Sequence, residues 1–120
     1  MDIFCKIINN EVKSYTIYED DTVKVFLDVN PKVNGHALVV PKKHFKDIYD
    51  IDDETLIYIF NIAKKLGLKI EEKLDADGIT LTQNNGLYEE VKHFHLHIVP
   101  QYKEKRELLD LNEVYKIINN

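Results

Sequence analysis

In the run His93-Phe94-His95-Leu96-His97-Ile98-Val99-Pro100, three histidines alternate with apolar residues at a period of two. Successive side chains of a β-strand point to opposite faces, so this period is that of a strand. The pattern predicts a strand over 93–99, with His93, His95 and His97 roughly 7 Å apart on one face and Phe94, Leu96 and Ile98 buried on the other. Imidazole packs no better than Thr or Val at outward sheet positions, so three in succession point to chemistry.

The rest of the chain supplies partners for such a strand. Ile3, Phe4, Ile7 and Ile8 recur at helical spacing and predict a short helix over 2–9, ended by Asn9-Asn10. Ser14 to Tyr18 and Val23 to Asp28 read as two strands joined by the turn Glu19-Asp20-Asp21. Asn30 to Gly35 is a loop on turn chemistry, and His36 to Val40 a third strand closed by Pro41. Asp52 to Leu74 is the one long helix, with Leu56, Ile59, Phe60, Ala63, Leu66, Ile70 and Leu74 on its apolar stripe. Ile57 and Ile62 lie outside that stripe, under a loop or at a subunit interface. Ile79 to Gln83 forms a further strand, Asn84-Asn85-Gly86 a turn, and Leu108, Leu109, Leu111, Val114, Ile117 and Ile118 a final helix. The expected fold is α+β: a five-stranded, mainly antiparallel sheet with one long helix and short terminal helices. It forms a single domain over 1–120, with its core over about 2–102 and a tail over 103–120.

Composition narrows the function classes. A net charge of −5, with no large Lys/Arg cluster, argues against a grip on nucleic-acid backbone. No leader-like segment and no apolar run of membrane-spanning length is present, which places the protein in the cytoplasm, away from membranes. The single cysteine, Cys5, excludes an internal disulfide and reads otherwise as a small buried hydrophobe.

Histidine titrates near neutrality, so it can attack as imidazole or donate a proton as imidazolium at one pH. His36 follows Gly35 at a strand start, where a neighbouring strand can bring it to the other three. His-x-His on a strand is also a way to present two zinc ligands, and His36, His44, Glu89 or Glu90 could complete a hydrolytic metal site. The residues alone leave both readings open.

His93-Phe94-His95-Leu96-His97-Ile98-Val99 resembles the signature of the histidine triad (HIT) superfamily. The likeness extends to Ile3-Phe4-Cys5-Lys6-Ile7-Ile8, Tyr18-Glu19-Asp20-Asp21, Phe26-Leu27-Asp28-Val29-Asn30-Pro31 and Gly35-His36-Ala37-Leu38-Val39-Val40-Pro41-Lys42-Lys43-His44, all similar to the Hint branch. It covers residues 2 to about 102. The resemblance implies hydrolysis or transfer at the α-phosphate of purine nucleotide conjugates, such as adenylyl-lysine or dinucleoside polyphosphates, with no cofactor in the chemical step. His95 would be the nucleophile that forms a covalent nucleotidyl-histidine. His97 and His36 would contact phosphate oxygens, and the His93 carbonyl would hold His95 in one tautomer. Asp28 would take the ribose hydroxyls, and Ile3, Phe4, Ile7, Phe26 and Val29 the base, with Ile7 and Phe26 also serving the core. Asn84 would hold the phosphate side. A homodimer through the long helix and a sheet edge is implied as well. The rival reading is a nucleotide-binding interaction protein with weak catalysis.

Two departures from the family pattern carry expectations. The connection Gly86-Leu87-Tyr88-Glu89-Glu90-Val91-Lys92-His93 is short, lacks the usual Gly-Gln pair and puts Glu90 where a hydroxyl residue would touch the leaving group. A carboxylate there repels a polyphosphate and favours a cationic amine. Many relatives also open Cys-x-x-Cys and bind a structural zinc; here Asp2 replaces the first cysteine, leaving Asp2, Cys5, His44 and His93 as the corresponding set.

Overall fold

The computed structural model describes residues 2–120. The order of elements is helix α1 (Ile3–Ile8), strands β1 (Thr16–Glu19), β2 (Val23–Leu27) and β3 (Ala37–Pro41), helix α2 (Asp53–Leu74), strands β4 (Gly78–Thr82) and β5 (Leu96–Gln101), and helix α3 (Leu111–Ile118). Local chemistry sets the ends. The Asp2 carboxylate accepts the Cys5 N–H at 2.7 Å and caps α1, and Asp52 caps α2 by accepting from Thr55 N at 2.9 Å. Asp20 turns the first hairpin by accepting from both Thr22 N and Val23 N at 2.8 Å. At its far end α2 closes on Asp75 in the left-handed conformation, φ 52°. The Arg106 guanidinium covers the carbonyls of Leu74 and Asp75 at 2.6 and 2.8 Å.

The five strands form one antiparallel sheet in the order β1-β2-β3-β5-β4. Both faces of its centre are covered. Val23, Val25 and Leu27 of β2, Ala37 and Val39 of β3, and Leu96 and Ile98 of β5 pack on α2 and α3 with Ile59, Ile70, Val114 and Ile118. The alternate residues Phe26, Leu38 and Val40 meet Phe4 and Ile7 of α1 in a second, smaller core. Burial of both faces is why β3 reads as a continuous apolar run and why β2 is apolar but for Lys24, which is itself buried. The sheet face under α1 is also the face that carries His97, because His97 pairs with Leu38 across β3 and β5.

The expected α+β class and the five-stranded sheet hold, with corrections of detail. The last strand begins at Leu96, so His93 and His95 precede it. Residues 91–93 are bent, and Phe94 N–H bonds to Phe45 O at 2.7 Å instead of joining a ladder. His93 therefore leaves the face shared by its neighbours. The His95 and His97 ring centroids are 5.0 Å apart, closer than a regular strand would hold them. His36 stands just before β3, and Pro41 is the last residue of β3, not a stop after it. On α2 the buried stripe is Ile59, Ile62, Ala63, Gly67, Ile70 and Leu74. Phe60, expected inside, is 42% exposed, while Ile62, expected outside, is buried. Leu108 and Leu109 precede the final helix and are exposed. Among the described residues, no helix is long and apolar enough to cross a membrane.

Candidate functional site

Two adjoining cavities open on the α1 face of the sheet. One, of about 270 Å³, is mostly apolar, with Ile3, Phe4, Ile7, Phe26, Leu38 and Val91 among its walls. The other, of about 280 Å³, is polar, with Lys32, His36, Thr82, Asn84 and Tyr88 among its walls. Asp28, Asn30, Glu90, His95 and His97 line both. An apolar slot that meets a polar chamber along a wall of imidazoles and a carboxylate suits a ligand with a flat apolar end and an anionic end.

The hydrogen bonds fix where the imidazole protons sit. His93 O can only accept, so His95 Nδ1, 2.7 Å away, carries a proton and Nε2 keeps its lone pair. The Lys32 backbone N–H donates to His36 Nδ1 at 3.2 Å, which places the proton of His36 on Nε2. That Nε2–H in turn donates to His97 Nδ1 at 2.9 Å, and His97 is left with Nε2–H as its free donor. Burial pushes His97 down to about 4, with the His95 and His36 charges adding to it. His36 is lowered chiefly by burial, which Asp28, at 3.6 Å, partly opposes. Both rings are neutral at pH 7. Asp28, His36 and His97 together could be taken for a metal site. The tautomers speak against it: a cation on His36 Nε2 would force the ring proton to Nδ1, against the Lys32 N–H.

His93 has a different environment. Its Nε2–H donates to Pro41 O at 2.9 Å, which leaves the Nδ1 lone pair facing Asp2 Oδ2 at 3.2 Å, His44 Nδ1 at 3.2 Å and Cys5 Sγ at 3.6 Å. His44 Nδ1 lies 3.1 Å from Asp2 Oδ2 and 3.8 Å from Cys5 Sγ. A tetrahedral zinc with ordinary bond lengths sets nitrogens about 3.3 Å apart and nitrogen from sulfur about 3.6 Å apart. These five distances among Oδ2, Sγ and the two Nδ1 atoms match that figure, and the carbonyl behind His93 is the outer partner that orients a metal-bound imidazole. Carboxylate and thiolate together balance a divalent charge. Burial pushes the Cys5 thiol up, so metal binding there must displace its proton.

Most residues singled out from the sequence come together here. Ile3, Phe4, Ile7, Phe26 and Val29 line the apolar cavity, Asn84 the polar one, and Asp28, Glu90, His95 and His97 both; His36 lines the polar cavity. His93 lines neither and contributes its carbonyl alone. Val29, although in the wall, is largely exposed. Val12, Lys13, Ser14, Lys32, Thr82, Tyr88 and Val91 were not anticipated. Of these, Thr82 belongs to the strand read over 79–83, and the β4–β5 register sets it opposite His97. Glu89, in the connecting loop itself, is buried. Lys92 Nζ lies 3.6 Å from its Oε1, and neither carboxylate oxygen accepts a hydrogen bond among the described residues.

A sheet of this order with paired imidazoles at its centre defines a class, and comparison with known proteins agrees. Residues 9–104 match the HIT domain model. An uncharacterised HIT-like protein of Methanocaldococcus jannaschii is 41% identical over 119 residues, 98% of this chain and 92% of the relative. The adenosine 5′-monophosphoramidase of Saccharomyces cerevisiae is 39% identical over 109 residues, 89% of this chain and 66% of that protein. The crystal structure of a zinc-bound histidine triad family protein from Mycobacterium smegmatis superposes with a TM-score of 0.90 at 31% identity, covering 98% of this chain and 89% of that one. The chain belongs to the HIT family.

Proposed function

We propose that this protein hydrolyses purine nucleotide conjugates at the α-phosphate, with adenosine phosphoramidates as the preferred class, through a covalent intermediate on His95. The observation that carries the reading is the position and tautomer of His95. Its Nδ1–H is tied to the His93 carbonyl at 2.7 Å, and the ring stands in the wall common to both cavities. A fixed imidazole with a free Nε2 lone pair is an activated nucleophile that needs no base.

The base lies in the slot of Ile3, Phe4, Ile7, Phe26 and Val29, and Asp28 accepts the ribose hydroxyls. His97 Nε2–H, with Asn84 beside it, holds phosphate oxygens; His36 acts by keeping His97 in that tautomer. His95 Nε2 attacks phosphorus, the P–N bond breaks, and the amine leaves with a proton from solvent. Water then attacks the phosphorus and releases the nucleotide and the free imidazole. Glu90, lining both cavities, favours a cationic amine over a polyphosphate as leaving group. The phosphoramidase relative from yeast supports this substrate class. No residue here requires a metal for the chemical step; Asp2, Cys5, His44 and His93 would hold a zinc with a supporting role. Two chains pair through the exposed residues of α2, Ile57, Phe60 and Leu68, and the edge strand β4 with Leu81.

The test is hydrolysis of a fluorogenic adenosine phosphoramidate by the wild type and by His95→Ala, with and without a chelator. Turnover that survives chelation and is lost in the variant is expected. AMP binding with wild-type turnover no faster than the variant's would replace this reading with that of a nucleotide-binding interaction protein.

A further inference from the structure

We infer that the Asp2, Cys5, His44 and His93 cluster is a latch for the nucleotide slot, so that zinc binding at the cluster and nucleotide binding in the slot strengthen each other. The inference rests on the nucleotide reading above and adds a control to it.

Helix α1 carries both sets of residues. Asp2 and Cys5, at its start, face the cluster, while Ile3, Phe4 and Ile7 of the same six-residue helix line the apolar cavity. A helix of six residues has no stability of its own, so its place depends on what pins it. Its C-terminal end is pinned without metal: buried Lys24 Nζ donates to Ile7 O at 3.0 Å and to Asn10 Oδ1 at 3.1 Å. Among the described residues, the N-terminal end has no equivalent tie outside the cluster except the packing of Phe4. Without a cation, the cluster sets a carboxylate oxygen, a sulfur and two Nδ1 atoms against one another with nothing at their centre to hold them together. With one, the same four atoms clamp α1 to the segment after β3, through His44, and to the loop before β5, through His93.

The reacting group hangs on the same cluster. The His93 ring is a cluster ligand and its carbonyl holds His95 Nδ1–H, so a shift of one residue moves both. Phe4 closes the circuit, with its ring edge-on to His95 at 4.9 Å and to His93 at 5.9 Å. The cluster also suits exchange. It has a single thiolate, which binds zinc more weakly than the multi-thiolate sets of permanent structural sites, and the His44 side chain is half exposed. A staple without coupling is the plain alternative; in that case the second core alone holds the slot in shape.

The experiment is calorimetric titration of AMP into zinc-loaded protein and into protein stripped with a chelator. It is paired with zinc competition against a chromophoric chelator, with and without saturating AMP. The expected result is an AMP Kd at least about fivefold lower in the zinc-loaded form, with zinc affinity raised by the same factor in the presence of AMP, as linkage requires. The His44→Ala variant, which removes the most exposed ligand, should bind AMP like the stripped protein and no longer respond to zinc; it stands in if the stripped protein unfolds. Equal AMP affinity in the zinc-loaded and stripped proteins overturns the inference and leaves the nucleotide reading intact. Absence of zinc binding does the same. Absence of AMP binding in every form overturns both.

Discussion

Gly35 separates the loop that carries Asp28 from His36, and replacing it with alanine tests fold and site together. Its φ is +91°, outside the range that a residue with a Cβ adopts easily. An added Cβ would lie 2.4 Å from Leu74 Cδ1 and 3.1 Å from both Ile70 Cγ2 and Pro100 Cγ. Left-handed strain costs about 1–2 kcal/mol, and overfilling a packed site about 1–3 kcal/mol. Gly35→Ala should therefore lose about 2–5 kcal/mol, a large part of the roughly 5–15 kcal/mol of a domain this size. Urea unfolding followed by circular dichroism reads the loss as a lower midpoint at unchanged slope. The two contributions separate in a cycle with Leu74→Ala, which removes the atom in closest conflict. The double variant should recover about 1–2 kcal/mol relative to additivity, the steric part alone. A loss below about 1 kcal/mol in the single variant would refute the packing of this loop against α2. So would strict additivity in the cycle.

Asn34, next to it, ties the tail to the same loop: its Nδ2 donates to Glu107 O at 3.0 Å, its Oδ1 accepts from Leu109 N at 2.9 Å, and its carbonyl accepts the Tyr102 hydroxyl at 2.7 Å. Asn34→Ala should cost about 1–3 kcal/mol for two lost side-chain bonds and speed hydrogen exchange at the Leu109 amide; unchanged exchange would show that the tail is held elsewhere. For His97, burial depresses the folded-state value from 6.5 to about 4, so the stability that it contributes is complete above pH 6.5 and is lost as the pH falls toward 4. Proton NMR should find its ring titrating near 4, and a midpoint near 6.5 would mean that the ring is not buried against His36 and His95. Glutamate at both Ile57 and Leu68, each more than half exposed on α2, should turn a sedimenting dimer into a monomer; a wild type that sediments as a monomer at high concentration removes the proposed interface.

The elements were legible where one local rule governs. Glu19-Asp20-Asp21 was read as a turn, and Asp20 makes the bonds of one; the helix read from Asp52 begins there, with Asp52 as its cap. The stripe of α2 was less legible because apolar residues surround that helix, and hydrophobicity alone does not rank them. Phe60 was assigned to the stripe by its spacing, but the helix turns Gly67 toward the sheet, where Ile79 lies 3.8 Å from where a Cβ would be. That rotation buries Ile62 and leaves Phe60, Ile57 and Leu68 outside. In the site, period and motif found the imidazoles and the slot but not Lys32, whose contribution is a backbone N–H and has no sequence signature.

The misjudged strand is also the most instructive part of the chain. Three histidines at a spacing of two would share a face if 93–99 were regular, and three equivalent imidazoles would then compete for one phosphate. The bend at 91–93 breaks the equivalence. It turns the His93 ring away to Pro41 and the Asp2, Cys5 and His44 cluster and presents its carbonyl to His95. The neighbour keeps its Nε2 lone pair, the one proposed to attack phosphorus, and His97, once β5 has begun, receives its proton pattern from His36 across the β3–β5 pair. Period two in this sequence therefore does not encode three copies of one function. It encodes a backbone carbonyl, a lone pair and an N–H donor in consecutive alternate positions, and the tautomer of each ring is set by a different strand or loop. Substituting any one imidazole with asparagine should therefore produce three distinct defects, in slot formation, in turnover and in phosphate affinity respectively, and not a graded loss of one activity.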